Sequence, residues 1–269
     1  MNNTLQSEIN ISGKTLMGGQ ETQISIVKNN LGRIRFLNNS QEIDASVNNV
    51  ISTQNSTVIG NQNAQIRLIE HFMAACAFAN LNGVDVMLDG NELPIFDGSS
   101  KVWYETFTNV LELGTEIEKI NFESPISYKN DRTEIVLLPS DTFKVTYMVN
   151  MNHKDLSNKW YTTDFTNTSE IIEARTFGYL NDLEKLQAAG FALGVSIDNT
   201  VGLTENDGYT TELRSDLEPI KHKILDLVGD LMLTGHNPLG FNAHIIAKEA
   251  GHSSHFEFAK ILKTQLKGE

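Results

Sequence analysis

Apolar residues in the first sixty positions come in short alternating runs, "TQISIV" (22–27) and "RIRFL" (33–37), separated by the turn-forming stretches "NNS" (38–40) and "NNVISTQNS" (48–56). That period of two, with its punctuation, predicts strands. The period then changes. In "IRLIEHFMAACAFANL" (66–81), Ile69, Phe72, Met73 and Cys76 recur at i, i+3, i+4 and i+7, which predicts a helix. "GVDVMLDG" (83–90) alternates again as a strand, "NELPIFDGSS" (91–100) reads as a loop, and "SKVWYETFTNVLEL" (100–113) as a second helix. The end of the chain repeats this order. "EPIKHKILDLVGDLML" (218–233) predicts a helix with Pro219 in its first turn. "GFNAHIIAKE" (240–249) then predicts a strand, "AGHSS" (250–254) a turn and "HFEFAKILKTQL" (255–266) a helix. Helix, strand, loop and helix thus occur twice, each time after strands. The repeat predicts an α+β protein of two similarly built domains, 1–118 and 119–269, divided near "GTEIEKINF" (114–122).

Composition narrows the class without naming a function. Of 269 residues, 40% are hydrophobic and 20% charged, as in ordinary soluble globular proteins. The net charge of −13, with no basic block, argues against nucleic acid as a partner and leaves room for an anionic small substrate. Cys76 is the one cysteine, so no internal disulfide is expected and a reducing compartment suits the chain. "MNNTLQSEIN" lacks a basic and an apolar signal region, and "FMAACAFANL" (72–81) is too short to span a bilayer. A cytoplasmic protein without stable membrane insertion is expected.

The candidate chemistry sits in the last long helix. His222, Asp226 and Asp230 follow one another at intervals of four in an otherwise apolar segment. Residues four apart are rotated by about 40°, so the three share one face. Buried charges are costly unless paired or metal-bound. His222 and Asp226 could hold one metal ion from successive turns, and a third ligand must come from elsewhere. Among the seven histidines (71, 153, 222, 236, 244, 252 and 255), His71 stands out because it follows Glu70 near the start of an apolar helix. Two histidines and an aspartate would leave a coordination position open, as catalytic zinc sites require, and Glu70 could act as general base. Spacing alone favours an ordinary helix-face pair over a metal site. Neither "LIEHF" (68–72) nor "KHKILD" (221–226) matches the two-histidine helix motifs of metalloproteases.

Taken together, "IEHFMAA" (69–75), "NELPIFDGS" (91–99), "NH" (152–153), "ARTFGY" (174–179), "HKILDLVGDL" (222–231), "GHN" (235–237) and "GHS" (251–253) resemble the zinc-dependent UDP-3-O-acyl-N-acetylglucosamine deacetylases of lipid A (lipopolysaccharide) biosynthesis. The segments stand in that family's order and at about its spacing over nearly the whole chain. The resemblance implies that His71, His222 and Asp226 bind zinc, with iron(II) as a substitute, and that Glu70 takes a proton from the attacking water. It implies His252 as the acid that protonates the leaving amine, Asp230 as the group that orients it, and Thr176 as an oxyanion donor. Phe177 and Lys223 would contact the acylated UDP-amino-sugar. The family fold packs the helices of both domains between two mainly antiparallel sheets, with the site at the junction. An insert expected at about residues 150–166 would form an apolar passage for the acyl chain, and a monomer is expected.

Three positions depart from the family pattern. Met17 stands where a histidine is usual, Val195 replaces the second glycine of a pair, and Glu249 falls where a basic residue is usual. These touch substrate contacts, not the metal ligands, base or acid. The alternatives are a paralogue acting on another N-acyl amino sugar and, further off, a non-catalytic sugar-nucleotide-binding protein.

Overall fold

The computed structural model describes residues 2–114, 116–205 and 208–266; Thr115, inside the expected boundary, lies outside them. The first half of the chain forms strands β1 (Thr4–Leu5), β2 (Ile9–Lys14), β3 (Glu21–Lys28), β4 (Arg35–Asn38) and β5 (Gln41–Asp44). Three short strands follow, β6 (Val50–Ser52), β7 (Val58–Gly60) and β8 (Gln65–Ile66), then α1 (Glu70–Phe78), β9 (Val84–Leu88), α2 (Lys101–Thr108) and β10 (Leu111–Glu112). The second half begins with β11 (Ile120–Asn121), β12 (Ile126–Asn130), β13 (Thr133–Pro139), β14 (Lys144–Val149) and β15 (Lys159–Thr163). It continues with α3 (Ser169–Ile172), β16 (Thr176–Tyr179), α4 (Leu180–Ala188), β17 (Thr200–Leu203), α5 (Glu218–Leu231), β18 (Phe241–Lys248) and α6 (His252–Leu266).

The fold is α+β, and its two main sheets share one topology. The first has strand order β2-β3-β9-β4-β5 and the second β12-β13-β18-β14-β15. In each, two hairpins flank a late strand that pairs antiparallel with the first hairpin and parallel with the second. Alternation decides which side faces inward: Thr22, Ile24 and Ile26 of β3 and Phe241, Ala243, Ile245 and Ala247 of β18 are buried, with more accessible residues between them.

The helices of both halves fill the space between the sheets. Helix α1 is buried from Glu70 to Ala77, on every side. Its Phe72 meets Phe36 of the first sheet edge-on at a centroid distance of 5.5 Å. Another side of α1 lies directly on α5. A Cβ at Gly229 of α5 would fall 2.0 Å from the Glu70 carbonyl oxygen, so only glycine admits this approach. One hydrophobic core accordingly runs through both halves, from Ile26 and Trp103 to Leu225 and Phe258.

Two helix starts differ from the sequence expectation. The apolar run from Ile66 becomes helical only at Glu70, because Ile66 closes β8 and Leu68 takes φ +61°. Leu217 takes φ +58° just before α5. Bulky residues in this region cost on the order of 1–3 kcal/mol each, and here both sit where the chain turns into a site-bearing helix. At the other end, "AGHSS" is not only a turn: α6 begins at His252. The Ser254 hydroxyl accepts from the Gly251 N–H at 2.9 Å, a cap that starts the helix three residues early.

Each half also carries an insertion between its fourth main strand and its long helix. In the first it is the β6-β7-β8 meander; in the second it includes the parallel β16–α4–β17 unit. Both reach the functional site.

Candidate active site

The α1–α5 contact brings together residues far apart in sequence. Glu70 and His71 open α1; His222, Asp226 and Asp230 line one face of α5, and all five are buried. His222 Nε2 lies 3.3 Å and His71 Nε2 3.8 Å from Asp226 Oδ1. The ligand atoms of these three residues all fall within 4.8 Å of one another, a spacing that can hold a metal ion. His222 Nδ1 donates to the Ala174 carbonyl at 2.9 Å, which leaves Nε2 as the lone-pair nitrogen facing Asp226. Burial holds both imidazoles below their usual pKa, His71 down to about 3, so both are neutral.

The carboxylate completes the test of fit. Burial raises the Asp226 carboxyl, but the positive charges of Lys223 and His252 beside it hold the group well below the usual carboxylate range. Its Oδ2 accepts from Lys223 Nζ at 2.8 Å, whereas Oδ1 is buried without a hydrogen-bond partner. An orphaned anionic oxygen costs at least about 1–3 kcal/mol, and a cation shared with two neutral imidazole nitrogens removes that cost. The donor set fits a divalent metal.

A carboxyl, Glu70, and an imidazole, His252, stand beside it. His252 Nε2 is 3.8 Å from Glu70 Oε1. Glu70 Oε2 accepts from the Thr57 backbone N–H at 3.0 Å, so Oε1 is the oxygen left for chemistry. Burial pushes Glu70 up to about 8. His252 moves up as well, to about 9, because Asp230 and Asp226 outweigh the burial that would lower it. His252 Nδ1 lies 2.9 Å from Asp230 Oδ2. Asp230, His252 and His255 also lie within metal-holding distance of one another, but both Nδ1 atoms are already bonded to Asp230.

A cavity of about 560 Å³ joins these groups. Glu70, His71, Thr176, Phe177, His222, Lys223, Asp226 and His252 all line it; Asp230 stands behind His252. Thr176 is placed by its N–H, which donates to the Gly98 carbonyl at 2.7 Å. The Phe177 ring stands edge-on to His222 at 6.0 Å, with Lys223 Nζ 5.8 Å from its centre. The cavity's other arm is apolar, with Leu180, Leu183, Leu186, Ala192, Val195 and Ile197 from the β16–α4–β17 unit.

No residue of 150–166, the expected passage, lines this cavity. Those residues form the β14–β15 connection and β15 itself, which the sheet commits to its edge. Of the departures from the family pattern, Val195 does not take positive φ, so its side chain is no obstacle to the backbone. The tight position is Gly194, where a Cβ would meet the Thr15 carbonyl oxygen at 1.9 Å. Met17 lines the cavity and packs with Val195 against Leu16, Leu68 and Ile95. Glu249 does not line it.

Sequence reasoning missed several supporting residues. The Thr57 hydroxyl is 2.5 Å from Asp230 Oδ1, so one residue holds both the Glu70 and the Asp230 carboxylates. Arg175 and Glu218 form a buried pair, Nε to Oε1 at 2.9 Å, which anchors the segment carrying Ala174 and Thr176. "ARTFGY" contained the arginine, but nothing local points to its partner.

Fold and site together describe an α+β protein of two similarly built halves with a buried, metal-competent centre of histidines and carboxylates between them. The profile of the UDP-3-O-acyl N-acetylglycosamine deacetylase family matches residues 2–264. A UDP-3-O-acyl-N-acetylglucosamine deacetylase of Leptospira biflexa serovar Patoc is 36% identical over 98% of this chain and 90% of its own. That of Nostoc sp. (strain PCC 7120) is 31% identical over 96% of each chain. The chain belongs to the UDP-3-O-acyl N-acetylglycosamine deacetylase family.

Proposed function

We propose that this protein is a zinc amidase that removes the N-acetyl group of UDP-3-O-(3-hydroxyacyl)-N-acetylglucosamine, releasing acetate and the free amine during lipid A biosynthesis. The observation that carries the reading is the meeting of the His71–His222–Asp226 set, Glu70 and His252 in one cavity that also has an apolar arm.

His71, His222 and Asp226 would hold the zinc. The ion would supply Lewis acidity for the acetamide oxygen and the attacking water, and iron(II) suits the same ligands. Glu70 Oε1 takes the proton from that water, while the Thr57 N–H keeps Oε2 fixed. His252 gives its Nε2 proton to the leaving amine, and Asp230 holds the imidazolium from behind. Thr176 donates to the oxyanion; loss of such a donor costs about 2.7–4 kcal/mol in comparable sites. Phe177 and Lys223 bound the sugar-nucleotide side, and the β16–α4–β17 unit, in place of residues 150–166, receives the acyl chain.

All these groups come from one chain, which supports action as a monomer. Among the described residues no helix is long and apolar enough to cross a membrane. A cytoplasmic location belongs to the same reading, and the one buried, free cysteine is compatible with it.

The test is to incubate zinc-loaded protein with UDP-3-O-(3-hydroxymyristoyl)-N-acetylglucosamine and, separately, with UDP-N-acetylglucosamine, following acetyl loss by mass spectrometry. The acylated substrate should be deacetylated and the unacylated one much more slowly. Preference for an unacylated or different N-acetyl sugar would overturn the substrate assignment.

A further inference from the structure

Asp230 receives more donors than the partner of a single imidazole needs. His252 Nδ1 is 2.9 Å from Oδ2, His255 Nδ1 is 2.8 Å from the same oxygen, and the Thr57 hydroxyl is 2.5 Å from Oδ1. His255 lies one turn beyond His252 on α6 and is fully buried. Its other nitrogen, Nε2, is 2.9 Å from the hydroxyl of Tyr147, itself fully buried on β14. Neither His255 nor Tyr147 lines the cavity, so neither can touch substrate.

The directions of these bonds are fixed by chemistry. The charge and hydrogen bond of His252, with the hydrogen bond from His255, outweigh the burial that would raise Asp230, and its carboxyl falls to about 2; as a carboxylate it can only accept, so both Nδ1 atoms donate to it. Burial holds His255 below the usual imidazole range, and a neutral imidazole carries a single N–H. His255 Nε2 is therefore an acceptor and takes the Tyr147 O–H. Protons point one way along Tyr147, His255 and Asp230. Bound to His252 alone, the Asp230 carboxylate could rotate about its Cβ–Cγ bond; bound also to Thr57 and His255, both oxygens are pinned.

We propose that His255 is a positioning residue of the deacetylation, donating its Nδ1–H to Asp230 Oδ2 and so fixing the carboxylate that aims His252 at the leaving amine. This rests on the reading of His252 as the acid. The conservative variants separate aim from packing. An asparagine amide nitrogen stands near the place of Nδ1, whereas a glutamine amide reaches the place of Nε2.

The test compares zinc-loaded wild type with His255→Leu, His255→Gln and His255→Asn. Turnover of UDP-3-O-(3-hydroxymyristoyl)-N-acetylglucosamine, zinc content, melting temperature and the NMR signal of the His252 ring Nδ1–H are followed. His255→Leu should lower kcat by about 10–100-fold, as loss of an outer partner does at metal sites, with KM and zinc content unchanged. His255→Asn should recover most of that loss and keep the His252 Nδ1–H signal, and His255→Gln should not. Wild-type kcat in His255→Leu would overturn the proposal. So would equal losses in all three variants that follow melting temperature, since they would show packing alone. Absence of turnover in the wild type would overturn the functional reading instead, and the ring-proton signal would still report whether His255 fixes the His252–Asp230 bond.

Discussion

Glu70 and His71 are neighbours in sequence and both are buried, yet burial makes the carboxyl a weaker acid and the imidazole a weaker base. The neutral imidazole suits a ligand. His252 is buried too, but Asp230 and Asp226 overcome that and push it up to about 9, so it carries a proton at neutral pH. An acid of this kind is active below its pKa and fails as pH rises through it. Asp230→Asn removes the strongest of the influences that raise His252 and leaves burial, which lowers it. The alkaline limb of the kcat–pH profile should therefore move to lower pH in Asp230→Asn, and kcat should fall. An unmoved limb would assign that limb to another group. At this scale the row of His222, Asp226 and Asp230 was legible, because a helix period alone places them on one face. Thr57 and His255 were not. Their importance comes from which carboxylates they reach, and Thr57 lies 173 residues from Asp230.

The elements that meet at the site do so through one small residue. Gly229 sits against the Glu70 carbonyl, and a methyl group there would lie 2.0 Å from that oxygen and 3.2 Å from the Ala74 nitrogen. Gly229→Ala must separate α1 from α5, which carry Glu70 and His71 on one side and His222 with Asp226 on the other. Overpacking of this kind costs about 1–3 kcal/mol or more. The expected result is a lower denaturation midpoint together with weaker zinc binding, measured by urea unfolding and metal titration. Loss of stability with unchanged zinc affinity would mean that the ligands do not depend on this contact. The helices and strands that build the junction were readable because their apolar periods are regular. The β16–α4–β17 unit was not read: Leu180, Leu183 and Leu186 recur at helix spacing in α4, but the helix buries no residue in the core. The expectation of an acyl passage at about 150–166 came from the family resemblance, and those residues, which form the β14–β15 connection and β15, do not line the cavity.

Across the whole molecule, duplication explains why the site is divided. Each half contributes a helix from the same place in its repeat, and packing the two helices together between the sheets makes a centre that neither half contains. His71 comes from the first half, His222 and Asp226 from the second. A metal held by all three should clamp the halves in the folded state. At 100 times its Kd a ligand of the native state adds about 2.7 kcal/mol. Chelation should therefore lower the melting temperature of the wild type, whereas His71→Ala, lacking one ligand, should respond much less. Equal responses would place the stabilising metal elsewhere. The repeat itself was visible as helix, strand, loop and helix occurring twice. The juxtaposition of residues 71 and 222 came only from the family resemblance, because no local pattern encodes which helix packs on which.

The most direct measurement sets zinc content beside acetate release for the wild type and Glu70→Gln, using UDP-3-O-(3-hydroxymyristoyl)-N-acetylglucosamine. The account predicts one zinc per chain in both proteins, with rapid acetate release from the wild type and almost none from Glu70→Gln. Wild-type turnover in Glu70→Gln, or no acetate from zinc-loaded wild type, would contradict it.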